Sequence, residues 1–292
     1  MLRFACICVL SCLSQSGLCA NWTITYPRPL TEFDQRYQYP VALLTLALEK
    51  TGVKYSLMQS ERILMQGRAL QQLEENREIN LVWSMTDRQR ESNLHPIRIP
   101  IYKGLIGWRL FLVPAEHAGI LDKTNTLEQL RHFSPVQGKD WPDTRILQAN
   151  GFKVITGNEY GQLFRLLQQR VGDFFPRSVI EVWGELDSPA IQSCCELDTR
   201  LAVSYPTAMY FFVNKKNKTL AKLIETGLER AIADGSFDTL FEQTYGPVLE
   251  KARMTQRRVF ELNNPLLPDD TPLERPELWY KPVTTRNADQ RY

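Results

Sequence analysis

The chain has 292 residues, with 35 Lys and Arg against 33 Asp and Glu and a formal net charge of +2, so its charge balance recruits neither nucleic acid nor an anionic membrane surface. Composition is that of an ordinary globular protein, and the length suffices for one large or two modest cores. Of its six cysteines only Cys194 and Cys195 lie beyond the first 20 residues, which excludes a disulfide scaffold.

Met1 to Ala20 has a basic residue at Arg3, an apolar core from Phe4 to Leu13 and a small-residue exit at Ala20. This is the layout of a secretory signal peptide, so an exported product starting at Asn21 is expected. The apolar run is shorter than the ~20 residues a transmembrane helix needs. Cys19 follows Leu18 where a small residue would precede a lipidated cysteine, which argues against a lipid anchor. Adjacent Cys194 and Cys195 could bridge only through a strained ring, since neighbouring Cα atoms sit ~3.8 Å apart and ordinary disulfides want roughly 4.4–6.8 Å. Two free thiols are expected there.

Trp22-Thr23-Ile24-Thr25-Tyr26 alternates as a first strand, and a loop through Phe33 and Arg36 leads to a helix over Pro40 to Lys50 that Gly52 closes. Val53 to Leu57 reads as a strand and Arg68 to Glu75 as a helix with Ala69, Leu70 and Leu73 inward. Leu81-Val82-Trp83-Ser84-Met85 is an apolar run that suits a buried parallel strand, and its carboxyl end releases Thr86-Asp87-Arg88. Open α/β sheets bind ligands at such strand ends. Gly107 to Val113 is another strand, and Leu201 to Pro206 with Met209 to Val213 bring the chain back.

Between those crossings lies the most informative stretch, Leu121 to Arg177. Gln137 to Thr144 opens a helix ending near Asn150-Gly151, so backbone N–H groups can face an anion there. A strand over Phe152 to Thr156 and a helix with Tyr160, Leu163, Phe164, Leu167 and Val171 on one face follow. Leu220, Leu223, Ile224, Leu228, Ala231 and Ile232 form the stripe of a long amphipathic helix that Gly235 ends, and Ser236 starts the next. From Asn263 the chain is rich in proline and charge and is expected to wrap the surface.

The order of pieces resembles the bacterial extracellular solute-binding proteins of family 3, through Val82 to Glu91, Pro100-Ile101-Tyr102, Leu127 to Leu130 before Val136-Gln137-Gly138, and Asp234 to Phe241. The resemblance implies an α/β protein with a two-lobe, periplasmic-binding-protein-like fold of type II and a hinge of two crossover strands. It places residues 21–108 plus 205–262 in lobe 1, residues 109–204 in lobe 2 and residues 263–292 in an irregular tail. It further implies a monomer in the periplasm that binds a small-molecule solute for an ABC transporter permease, or that serves a membrane receptor as a sensing accessory.

Carried over position by position, Ser84 and Thr86 correspond to lobe 1 groups that bind a ligand carboxylate, and Arg88 to the carboxylate-binding arginine. Its spacing is one residue short, and Arg90 competes for the role. Gly138 to Thr144 resembles the lobe 2 helix terminus, which brings in Gly138, Asp140 and Trp141. Where relatives that bind amino acids hold an acid for the α-ammonium, this chain has Phe175-Pro176-Arg177-Ser178. A guanidinium accepts no hydrogen bond and repels an ammonium, so Arg177 either meets a second acidic group of the ligand or pairs with Glu181. Asp140 or Asp143 could supply the missing carboxylate.

An enzyme is the minority reading. His95, His117 and His132 lack metal-ligand spacing, no Gly-x-Ser-x-Gly elbow occurs, and glycine-rich phosphate loops are absent, so no metal or cofactor is expected.

Overall fold

A computed structural model describes residues 21–29 and 37–281. The predicted signal segment, Phe33 and Arg36 of the first loop, and the end of the tail lie outside the described residues.

The chain begins with β1 (Asn21–Arg28), α1 (Gln38–Thr51) and β2 (Lys54–Ile63), and the two strands pair in parallel from Asn21↔Lys54 to Tyr26↔Gln59. Parallel neighbours need a crossover, and α1 supplies it by burying Leu43, Leu44, Ala47 and Leu48 on one stripe. Next come α2 (Gln66–Glu74), β3 (Val82–Met85), α3 (Arg88–Asn93) and β4 (Leu94–Ile97). The apolar run at β3 predicts a parallel pairing, but β3 runs antiparallel to β10 (Met209–Asn214), with Met85 opposite Met209. An apolar run reports burial on both faces and says nothing of direction. β10 is the centre of a three-stranded sheet, with β4 on its other side.

The second half is built from β5 (Trp108–Pro114), α4 (Leu127–Leu130), β6 (Val136–Gly138), α5 (Pro142–Ala149), β7 (Ile155–Gly157), α6 (Tyr160–Gln168), β8 (Phe175–Ser178), α7 (Val182–Leu186), α8 (Pro189–Gln192) and β9 (Cys195–Ser204). β5 enters this half and β9 leaves it, and the two pair antiparallel from Trp108↔Ser204 to Pro114↔Cys195. β6 and β7 form a small parallel sheet of their own. Helices α9 (Lys218–Ala233) and α10 (Ser236–Ala252) then return to the first half, where α9 lies against α1. One apolar core runs through both halves, from Ile24 and Leu43 to Leu110, Leu163 and Phe175. A second, around Phe111, Ile146, Phe152 and Phe174, belongs to the second half.

The chain then crosses back. β11 (Arg258–Glu261) adds a parallel edge to β9, so this strand sits with the segment expected for lobe 2 although it falls in the stretch expected for lobe 1. Residues 262–281 form a strap. Leu262 and Leu266 pack into the second core, and the Asn150 amide exchanges two hydrogen bonds with the Asn263 backbone, at 2.7 and 3.0 Å. Further on, Asp270 pairs with Arg98 at 3.3 Å, Arg275 with Glu229 at 2.7 Å, and Leu278 is fully buried in the first core. No described helix is long and apolar enough to cross a membrane.

Candidate functional site

The site is built from the carboxyl end of β3 upward. Ser84 is fully buried, and Asp87 caps α3 by accepting from Arg90 N–H at 2.8 Å. That cap sets the helix phase and swings Arg90 back over the strand end. Its Nη1 donates to Ser84 Oγ at 3.0 Å and to Met85 O at 2.6 Å, which fixes the plane of the guanidinium. Burial pulls the Arg90 pKa below its ordinary value, and Asp87 opposes this by favouring the charge. An arginine keeps its charge through such a shift, so a desolvated cation stands at the strand end.

Arg88, two residues earlier on the same short helix, faces elsewhere. Its side chain is 57% exposed, and the guanidinium donates to Pro265 O at 2.6 Å and Asp269 Oδ1 at 3.0 Å, both on the strap. Thr86 is buried, but its hydroxyl donates to Glu91 Oε1 at 2.6 Å, and Glu91 is held in turn by Arg98. Of the three residues expected at this strand end, Ser84 accepts from Arg90, Thr86 is turned to Glu91, and Arg88 is turned to the strap.

Across from it lies the start of α5. The Asp87 carboxylate, 4% exposed as a residue, accepts from Arg145 Nη2 at 3.1 Å, so one ion pair joins the two halves at the candidate cleft. Gly138 ends β6, and a Cβ there would stand 2.6 Å from the Trp141 ring, so only glycine lets that indole fold back over the strand. Thr144 Oγ1 donates to Gly138 O at 2.7 Å and locks the turn. Trp141 is half-buried between this turn and Arg177, whose guanidinium carbon is 5.1 Å from its ring centre. Asp140 is exposed.

Behind this face runs a buried chain of alternating charges. The Tyr205 hydroxyl donates to Asp143, whose Oδ1 lies 2.5 Å from Arg109 Nη2; Arg109 Nη1 is 3.5 Å from Glu181, and Glu181 is 3.3 Å from Arg177. Arg177 ends the chain on Glu185, with Nε bonded to both carboxylate oxygens at 2.8 and 3.0 Å, and Tyr160 donates to Glu185 at 2.6 Å. Burial disfavours charge on Arg109 and Arg177, but their acidic partners outweigh it, and both pKa values rise. Burial likewise lifts the Tyr205 phenol far above its usual range. Arg109 starts β5 and Tyr205 follows β9, so Asp143 pins α5 to both crossing strands.

Ser84, Gly138, Trp141, Arg177 and Asp143 thus lie around the junction of β3, β6 and α5, where the Asp87–Arg145 contact and Arg109, neither expected from the sequence, also fall. The signal for Arg90 was present, since an Asp before a charged hexapeptide marks a helix cap and fixes which of two arginines turns inward.

Comparison with solved structures identifies the class: the chain has the two-lobe type II periplasmic-binding fold. It is similar to the probable amino-acid ABC transporter extracellular-binding protein YtmK of Bacillus subtilis, at 16% identity and a TM-score of 0.59 over 78% of this chain and 98% of that one. It is also similar to a putative ABC transporter binding component from Wolinella succinogenes solved with lysine, at 13% identity and a TM-score of 0.55 over 77% and 95%. The periplasmic VFT2 domain of Bordetella pertussis BvgS matches at 12% identity and a TM-score of 0.57 over 77% and 93%. No family model and no curated protein matches the sequence.

Proposed function

We propose that the protein is an extracytoplasmic solute-binding protein that captures a small polar, carboxylate-bearing solute between its lobes and passes it unaltered to an ABC-type importer. The observation that carries this reading is Arg90, a guanidinium held by Ser84 and Met85 at the carboxyl end of β3 and facing the start of α5 across the cleft. A buried carboxylate is costly unless paired, and a fixed guanidinium with an adjacent hydroxyl offers the charge-assisted hydrogen bonds it needs. Trp141 and the Gly138 turn supply the opposite wall.

A probable amino-acid transporter binding protein and an ABC transporter binding component solved with lysine, both among the structural neighbours, favour an amino-acid-like ligand. Against an ordinary α-ammonium stands Arg177, whose nearby acids Glu181 and Glu185 are already drawn to arginines. An organic anion without that ammonium fits this charge arrangement better. A second reading, a sensing accessory for a membrane receptor, draws on the Asp87–Arg145 pair and the strap, which tie both halves through the protein's own residues.

The test is native mass spectrometry of the purified protein, followed by thermal-shift screening against amino acids and organic acids. A ligand at a hundredfold excess over its Kd adds about 2.7 kcal/mol of stability by mass action. A carboxylate hit recovered chemically unchanged supports the reading. Absence of both a bound molecule and a thermal shift across the panel contradicts it, and turnover of the hit would make the protein an enzyme.

A further inference from the structure

Cys194 and Cys195 lie outside the cleft, yet the fold brings them together. Cys194 ends the turn after α8, with its N–H bonded to Ile191 O at 3.1 Å, and Cys195 opens β9 opposite Pro114. Consecutive residues within a strand point to opposite faces. Here the step from turn to strand swings both side chains to one side, and the two Sγ atoms stand 2.6 Å apart. Cys194 Sγ also lies 3.3 Å from Ile191 O, to which its thiol donates. Both residues belong to the apolar core, at 8% and 2% exposure. A disulfide of roughly 2.05 Å needs only a short further approach.

We propose that Cys194 and Cys195 are a redox couple that closes to a vicinal disulfide. The oxidant is a disulfide, either a small-molecule one or that of a dithiol oxidase. The Cys194 thiolate attacks one of its sulfurs, forming a mixed disulfide and releasing the first thiol. The Cys195 sulfur then attacks Cys194 Sγ, forming the Cys194–Cys195 bond and releasing the second thiol. Two electrons pass to the oxidant, and the two cysteine protons end on the two thiols released.

The order of attack follows from the surroundings. Cys194 lines a shallow recess with Pro114, Glu116, Gln168 and Arg170 that Cys195 does not reach, so Cys194 is the sulfur nearer the surface, at 8% exposure against 2%. Burial, together with the neighbouring thiol, pushes the Cys195 pKa up, so Cys195 resolves the mixed disulfide and does not start the reaction. The closed ring is strained, because neighbouring Cα atoms lie ~3.8 Å apart against roughly 4.4–6.8 Å in ordinary disulfides, and a strained bridge is easily reduced again. The couple is therefore reversible. It sits at the far end of β9, the strand that runs to the hinge, and beside Glu185, whose charge is felt at Cys195.

The experiment treats the folded protein with oxidised glutathione, quenches in acid, alkylates under denaturing conditions and digests with trypsin. The peptide spanning residues 178–200 contains both cysteines and none of the others. The expected product is this peptide about 2 Da lighter than its dithiol form and free of alkyl groups, returning to two alkyl groups after treatment with a reductant. Cys195→Ser should instead stop at the mixed disulfide and keep glutathione on Cys194. Wild-type peptide that keeps two alkyl groups, retains glutathione, or is linked to a second copy overturns the proposal. The wild-type result decides the matter even if the variant fails to fold.

Discussion

Replacing Glu185 by Gln should reveal what Arg177 does. The Arg177 side chain is 3% exposed and that of Glu185 is 8% exposed, with three close contacts between them at 2.5, 2.8 and 3.0 Å. Gln keeps the shape and an acceptor but removes the charge, leaving Arg177 with Glu181 at 3.3 Å as its acidic partner. Breaking a buried pair by losing one partner costs about 3–5 kcal/mol, and Glu181 recovers part of it, so a loss of about 3 kcal/mol is expected. With a urea slope near 3 kcal/mol/M, the upper range for small proteins, the unfolding midpoint should fall by about 1 M. Replacing both partners with apolar residues, Arg177→Met with Glu185→Leu, should return stability to within about 1 kcal/mol of wild type, because no unpaired charge remains. A loss below about 1 kcal/mol in Glu185→Gln alone would refute this reasoning and return Arg177 to the ligand.

Gly227→Ala should destabilise the protein by at least about 3 kcal/mol in chemical denaturation, because the added Cβ would run into the Ala47 carbonyl where α9 crosses α1, and backbone cannot yield as a side chain does. Trp279→Ala should cost about 2 kcal/mol, less than a core tryptophan, because the ring is only partly buried against the first core; thermal melting reads it. Stability should also fall as pH drops through the ordinary histidine range. Burial, then Arg98 and Lys218, depress the His95 pKa in the folded chain, so below about 6.5 the unfolded chain binds the extra proton first. His95→Gln should flatten that part of the pH–stability curve. Arg145→Ala removes the ion pair across the cleft, and since Arg145 is half-exposed the loss should be under about 1 kcal/mol, with a larger radius of gyration in small-angle scattering.

Local elements were legible because their signals are local. The stripe on α9, the Gly52 and Gly235 stops and the strand over 209–213 are each written within a few residues, and the structure has them all. Strand partners were not, since pairing joins residues far apart: β3 meets β10, and β9 starts as early as Cys195 because β5 gives it a partner there. The tail shows the same limit, for its proline and charge predict an irregular path, while its contacts with Asn150, Arg98 and Glu229 depend on what the rest of the chain places beneath it. The two arginines are the most instructive case. Residues two apart on a helix do not share a face, so Arg88 and Arg90 must diverge, and only the cap at Asp87 decides which one turns to Ser84.

If Arg90 anchors the carboxylate of a solute held between the lobes, its loss must show in the affinity. Isothermal titration of the best hit from the metabolite screen into wild type, Arg90→Ala and Arg88→Ala tests it most directly. Losing Arg90 should weaken binding by about 2–5 kcal/mol, roughly 30-fold or more, while losing the strap-bound Arg88 should change it by less than about 1 kcal/mol. Unchanged affinity in Arg90→Ala, or the larger loss in Arg88→Ala, would contradict the account.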